Sequence, residues 1–195
     1  MKHSNHPPKG SNITVDPIRN EKDIQRIKKT LRGNTRDLLL FTMGINNGLR
    51  MGDLLMLKIG QVRNLNAGDS LGIRERKTGK ENILMVNRGV YSILKDYLGS
   101  KDWSDADYLF QSRKGDNRPL TVSSVHRMVR DWTYGMKGNY GTHSLRKTFG
   151  YVQRTKFGVS FEVLCRRFNH SSPSTTMRYL GIQNKEITNI LMNEI

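Results

Sequence analysis

The order of apolar and polar residues changes period twice along the chain, and those changes lay out the elements. From Ile18 to Leu57 apolar residues recur at the three- and four-residue spacing of a helix with one buried face. Ile24, Ile27 and Leu31 predict a first helix that ends near Gly33. Asn34 or Thr35 can cap a second, which runs through Leu38, Leu39, Leu40 and Phe41 to about Asn46 and is apolar enough to lie centrally in the core. Gly48 breaks it, Arg50 falls on the loop or first turn beyond, and residues 53–57 read as a short buried helix. Between 61 and 87 the period drops to two. Val62–Leu65, Leu71–Lys77 and Ile83–Val86 predict a three-stranded antiparallel sheet, with Lys77 at its second hairpin. After Asn87 the helical period returns over 88–98. Residues 99–119 read mostly as loop around the apolar Tyr108, Leu109 and Phe110.

Thr121 can cap a helix carrying Val125, Met128, Val129 and Trp132. Gly135, Gly138 and Gly141 make a loop that delivers His143 to the start of the next helix. A further helix covers Val159 to Phe168, and a short one, Ser174 to Leu180, holds Tyr179. Ile187, Ile190, Leu191 and Ile195 mark one face of a final amphipathic helix, which packs on its own domain or docks on a neighbour. The reading is a mostly α-helical (α+β) domain over 18–195 behind a flexible arm, 1–17, that is either an unstructured terminus or a DNA-contacting tail.

Charge narrows the function. Lys and Arg number 33 against 17 acids, a net charge of +16 over 195 residues. Such a field opposes a compact state unless a polyanion is the partner, and nucleic acid fits best. An anionic membrane fits less well, because the chain has no long apolar run and no signal-peptide pattern. The single cysteine, Cys165, excludes an internal disulfide and suits a reducing cytoplasm, near the nucleoid if DNA is the partner. Its simplest role is core packing.

The candidate chemistry is spread along the chain in a fixed order: Arg50, Lys77, His143 with Arg146, His170, and Tyr179. A phosphodiester gains negative charge as a nucleophile adds, and fixed cations aimed at that charge are efficient catalysts. Arg50 and Arg146 suit a clamp because guanidinium forks bind two oxygens and stay protonated. His143 and Arg146, three apart at a helix start, face the same way. Lys77 on its hairpin is a candidate acid for a departing 5′ oxygen, with Lys80 as a nearby competitor. Tyr179 can attack phosphorus if cations or a base assist loss of its proton. Asp53, one helical turn after Arg50, can orient it from behind. Each taken alone has a simpler role: a solvated charge, a helix cap, a half-buried packing ring. No acidic cluster suggests a two-metal nuclease, no Cys/His set has zinc spacing, and no phosphate-binding glycine loop is present, so neither metal nor cofactor is expected.

Taken together, these segments resemble the catalytic domain of the tyrosine recombinase (phage integrase) family. Asn47-Gly48-Leu49-Arg50 is similar to its first arginine motif and Lys77-Thr78-Gly79-Lys80 to its hairpin lysine motif. His143-Ser144-Leu145-Arg146-Lys147-Thr148 matches its HxLRxT box. Asn169-His170-Ser171-Ser172 followed by Thr175, Thr176, Arg178 and Tyr179 resembles its last motif, with Asn169 in place of the usual Gly. Asp53 stands where Glu is commoner. The resemblance implies catalytic roles for Arg50, Lys77, His143, Arg146, His170 and Tyr179, and a covalent 3′-phosphotyrosyl intermediate on double-stranded DNA. It also implies a tetramer assembled on DNA through the C-terminal helix.

Relatives usually carry a separate helical DNA-clamping domain ahead of this one. The expectation is that this chain lacks it, as an excised fragment, a natural short form, or a protein that borrows the other half of the clamp. Two other readings keep the fold: a type IB topoisomerase that nicks and reseals, and a DNA-binding regulator without catalysis.

Overall fold

In the computed structural model, which describes residues 14–182, 191, 192 and 194, helices surround one small β-hairpin. Helix α1 (Glu21–Thr30) is capped by Asn20 and runs into a 3₁₀ turn, Leu31–Gly33. Helix α2 (Thr35–Asn47) follows, and Asn34 caps it, its side chain accepting from the Asp37 N–H at 3.2 Å. Leu39, Leu40, Phe41 and Met43 are fully buried, so α2 is the central core helix that its apolar run predicts. Gly48 ends it in a left-handed conformation (φ 59°), which a residue with a Cβ adopts only at a cost. Arg50 is then the N-cap residue of α3 (Met51–Leu54), two residues earlier than the apolar run suggests.

The predicted third strand is absent from the described residues. Val62–Leu65, read as a strand, has its apolar ends three apart with Arg63 and Asn64 between them, and Ile59 and Val62 are likewise buried three apart on one turn of helix, α4 (Ile59–Val62), with residues 63–64 forming a turn. Four residues are too few to separate the two periods. The sheet is the pair β1 (Ser70–Arg74) and β2 (Glu81–Met85), antiparallel with Ser70 opposite Met85 and Arg74 opposite Glu81. The Asn47 side chain holds the outer edge of β2, accepting from the Met85 N–H at 2.7 Å and donating to its carbonyl at 3.2 Å. The hairpin is thereby fixed to the end of α2.

Helices α5 (Arg88–Leu98) and α6 (Val122–Trp132) are capped by Asn87 and Thr121. Helix α7 (Thr142–Phe157) passes through the middle, with Thr142, Ser144, Leu145, Arg146, Lys147 and Thr148 all buried. Helices α8 (Phe161–Phe168) and α9 (Pro173–Leu180) form a separate small cluster around Phe161, Leu164, Phe168 and Leu180. Gly150 lets that cluster close on α7, since a Cβ there would stand 2.7 Å from the Phe168 ring and 2.8 Å from Leu180.

Residues 14–17, placed by composition in the flexible arm, are tied down. The Asp16 N–H donates to the Asn139 carbonyl at 2.7 Å, and Pro17 and Ile18 are buried. The Ile18 N–H donates to Thr148 Oγ1 at 2.8 Å, so the segment is anchored by polar contacts that apolar periodicity does not reveal. The rest of the expected arm, 1–13, and most of the expected final helix, including Ile187, Ile190 and Ile195, lie outside the described residues. No helix among the described residues is long and apolar enough to cross a membrane.

Candidate active site

A cavity of about 240 Å³ opens between α3, the hairpin turn and the start of α7, and Arg50, Asp53, Lys77, His143 and Arg146 line it. The five cationic or imidazole residues of the lining come from positions 50, 76, 77, 143 and 146, so three separate chain segments supply one basic pocket. Lys77 is exposed on the turn between β1 and β2. His143 is exposed at the second position of α7, and its proton affinity is lowered by partial withdrawal from water and then by the charges of Arg146, Lys77 and Arg50. Among the described residues, no three His, Cys, Asp or Glu side chains cluster where they could hold a metal ion.

Arg146 is 3% exposed. Its Nη1 donates to the Gly48 carbonyl at 2.5 Å and its Nη2 to the Phe168 carbonyl at 2.7 Å. The guanidinium also stacks 4.6 Å from the Phe168 ring. Burial, partly offset by Tyr179, brings its pKa down to about 10, still fully protonated at neutral pH.

His170 and Tyr179 do not line the cavity; they sit behind it, on the α8–α9 cluster beside Arg146. His170 Nδ1 meets Thr176 Oγ1 at 3.0 Å, and its pKa falls to about 4, through burial first and then the charges of Arg146 and Arg50. The Tyr179 ring stands edge-on to His170 (5.1 Å) and Phe168 (5.7 Å), with Lys147 Nζ 4.9 Å from its centroid. Its hydroxyl is buried without a well-aligned hydrogen-bond partner. Burial raises the phenol to about 12, outweighing the pull of Arg146 and Arg50.

Asp53 is not the carboxylate that Arg50 meets. Asp53 Oδ1 accepts from the Arg76 N–H at 3.0 Å, fixing the hairpin turn instead. Arg50 pairs with Glu75, whose side chain is fully buried. Burial pushes the Glu75 carboxyl up, but hydrogen bonds from Thr78, Asn82 and Arg50 outweigh it and hold the pKa at about 2.

Residues 19–186 match the phage integrase family over most of the chain. The chain belongs to that family. It is 39% identical over 173 residues to the probable integrase/recombinase YoeC of Bacillus subtilis, an alignment covering 86% of this chain and 90% of that protein. It is 26% identical over 171 residues to the tyrosine recombinase XerA of Pyrococcus furiosus, covering 86% of this chain but 58% of the relative. The chain thus spans nearly all of YoeC and little more than half of the longer recombinase. Among solved structures, a XerA recombinase superposes with a TM-score of 0.72 at 22% identity, covering 96% of this chain and 68% of that one. A XerH recombinase bound to its difH substrate after cleavage superposes with a TM-score of 0.67 at 21% identity, covering 90% of this chain and 52% of that one. At those identities the likeness establishes the fold.

Two features escape a reading of the sequence. Glu75 looks like any acid at a strand end, and Arg167 like any basic residue at the end of a helix. Arg167 donates from Nε and Nη2 to the Asn47 carbonyl (3.0 and 2.5 Å) and from Nη1 to Asn82 Oδ1 (2.6 Å). The one available signal for Glu75 is its place two residues before Lys77.

Proposed function

We propose that this chain is a site-specific recombinase that breaks and rejoins double-stranded DNA through a covalent 3′-phosphotyrosyl link on Tyr179. The observation that carries the reading is the basic cavity formed by Arg50, Lys77, His143 and Arg146, with Tyr179 packed behind Arg146. A scissile phosphate seated there meets two guanidiniums placed to neutralise the charge that grows on its non-bridging oxygens. Tyr179 Oη forms the new bond to phosphorus, the P–O5′ bond breaks, and the departing 5′ oxygen takes a proton from Lys77. We assign His143 and His170, whose proton affinities are both lowered by burial and neighbouring cations, to accepting the phenol proton and holding a phosphate oxygen. Rejoining reverses the steps, with a 5′ hydroxyl attacking the phosphotyrosine.

The buried Tyr179 hydroxyl describes a resting state. The phenol must leave its pocket against Phe168 and His170 to reach a phosphate in the cavity, and its place on the small α8–α9 cluster, apart from the main core, supports that movement. The net charge of +16 supports DNA binding through phosphate contacts. Exchange of strands between two duplexes requires several active sites, so the working form is an assembly on DNA, a tetramer for two duplexes cut at four strands. The catalytic unit is residues 18–195 with the anchored segment 14–17, and a separate domain or protein closes the clamp on the other face of the duplex. The work takes place in the cytoplasm, at the nucleoid.

The test is a nicked duplex, built on a site selected by the chain from random DNA, whose short fragment carrying the released 5′ hydroxyl diffuses away after cleavage. A protein–DNA adduct should accumulate that resists denaturant, is destroyed by protease, survives EDTA and is lost in Tyr179→Phe. Strict dependence on Mg²⁺, or an adduct of undiminished yield in the variant, refutes the mechanism. Plasmid relaxation without recombination would instead favour the topoisomerase reading. Sedimentation should show several protomers per pair of duplexes; strand exchange by a strictly one-to-one complex refutes the assembly.

A further inference from the structure

Glu75 is the junction of three parts of the molecule. Its main chain closes the turn that presents Lys77: its N–H donates to the Lys80 carbonyl at 2.9 Å, and its carbonyl accepts from the Gly79 N–H at 2.8 Å. Its side chain accepts from Thr78 Oγ1 at 2.6 Å, inside the same turn, and from Asn82 Nδ2 at 2.9 Å on β2. The same carboxylate pairs with Arg50 Nη1 at the head of α3. Asn82 in turn accepts from Arg167, which holds the Asn47 carbonyl at the end of α2.

A fully buried carboxylate costs desolvation that its many partners must offset, so stability is a weak reason for its presence. Buried ion pairs are often replaceable by apolar groups of similar volume without loss, so a pair of this kind points to orientation. What Glu75 orients is visible. Arg50 stands in a cavity whose other cationic walls are Arg76, Lys77 and Arg146, while Asp53, also in the lining, is turned to the Arg76 N–H. Without a counter-charge its guanidinium would be repelled toward solvent. Glu75 engages one edge of the fork through Nη1, and among the described residues Nε and Nη2 make no hydrogen bond.

The geometry points to Glu75 as a positioning residue for strand cleavage, one carboxylate that fixes both Arg50 in the cavity and the hairpin turn carrying Lys77. The inference rests on the reading of Arg50 as phosphate clamp and Lys77 as general acid. It assigns Glu75 no contact with DNA. Its effect reaches the reaction through two arms, and the arms are separable. Thr78→Val removes the hydroxyl that donates to Glu75 and accepts from the Lys80 N–H at 3.3 Å, both within the turn, and leaves the Glu75–Arg50 pair. Glu75→Gln disturbs both.

The experiment measures the rate of adduct formation by the full chain on the selected nicked duplex, with either an ordinary phosphodiester or a 5′-bridging phosphorothiolate at the scissile position. In the latter the P–S bond breaks and a thiolate leaves without needing a proton. Thr78 is exposed, so Thr78→Val should fold. It should slow cleavage of the ordinary substrate about 10-fold, a fraction of the usual general-acid contribution, and react within about twofold of wild type on the phosphorothiolate. Glu75→Gln should slow the ordinary substrate about 100-fold and recover only part of that loss on the phosphorothiolate, because the Arg50 arm remains impaired. Melting curves recorded alongside establish that each variant is folded at the assay temperature, and if Glu75→Gln is not, the Thr78→Val pair of rates decides.

Failure of the phosphorothiolate to rescue Thr78→Val overturns the inference. So does a folded Glu75→Gln reacting within about twofold of wild type on the ordinary substrate; both results leave the recombinase reading standing. A wild-type chain that forms no adduct on either substrate overturns that reading, and the inference with it.

Discussion

Arg146 and Gly48, separated by 98 residues in sequence, are joined by a 2.5 Å hydrogen bond from the guanidinium Nη1 to the glycine carbonyl. The second arm of the same guanidinium holds the Phe168 carbonyl, so one side chain clips the end of α2 to the end of α8. Arg146 is therefore a structural part as well as a candidate phosphate ligand. Lysine, with a single ammonium, cannot bridge both carbonyls in this geometry.

Arg146→Lys should accordingly lose stability as well as activity. Leaving one buried carbonyl without its donor costs about 2 kcal/mol, roughly a 4–8 °C fall in melting temperature for a chain of this size. Adduct formation should fall about 100-fold or more. A variant with unchanged melting temperature would show that the two carbonyls find other partners.

Gly48→Ala tests the turn that sets Arg50. The residue is left-handed, and an added Cβ would stand 2.4 Å from Cδ1 of Phe149. Gly79 has a similar conformation (φ 67°) but nothing within 4 Å, so it isolates the backbone cost. Gly79→Ala should cost about 1 kcal/mol, and Gly48→Ala should cost 1–3 kcal/mol more through overpacking. Equal losses in thermal denaturation would mean that Phe149 yields without penalty.

Tyr179→Phe should abolish the adduct without destabilising the chain. Its hydroxyl is buried with no well-aligned partner beyond the neighbouring Arg146 guanidinium, so removing it forfeits one loose polar contact and relieves a desolvated polar group. The melting temperature should stay level or rise, by the equivalent of up to ~1 kcal/mol. A clear fall would show that the hydroxyl has a stabilising partner in solution.

The His170 imidazole gives a pH signature. Its folded pKa of about 4 lies below the unfolded value of about 6.5, so between them the unfolded chain binds the extra proton. The stability it contributes is present above pH ~6.5 and is lost as the pH falls toward ~4. His170→Gln should show a shallower decline of melting temperature across that window. Glu75, depressed to about 2, adds a loss in both proteins below the normal carboxylate range, as pH falls from about 4.3 toward 2. Parallel profiles between pH 6.5 and 4 would show that His170 is not held neutral by its surroundings.

The sequence by itself determined the helices, their caps and the order of the motifs. Those are local properties: Ile24, Ile27 and Leu31 show their shared face within two turns, and Asn34 and Thr121 cap the N–H groups three residues on. The hairpin at Lys77 was legible for the same reason, whereas Val62–Leu65 was too short for its period to separate helix from strand. Tertiary structure alone decided the rest. Polar side chains carry no periodicity, and their partners are chosen by reach across the fold. Hence Arg50 meets Glu75 while Asp53 serves the Arg76 amide, and Arg146 divides its donors between Gly48 and Phe168. The burial of Tyr179 is set in the same way, by Phe168, His170 and Lys147 closing around a ring whose own neighbours in sequence, Arg178 and Leu180, face solvent and core respectively.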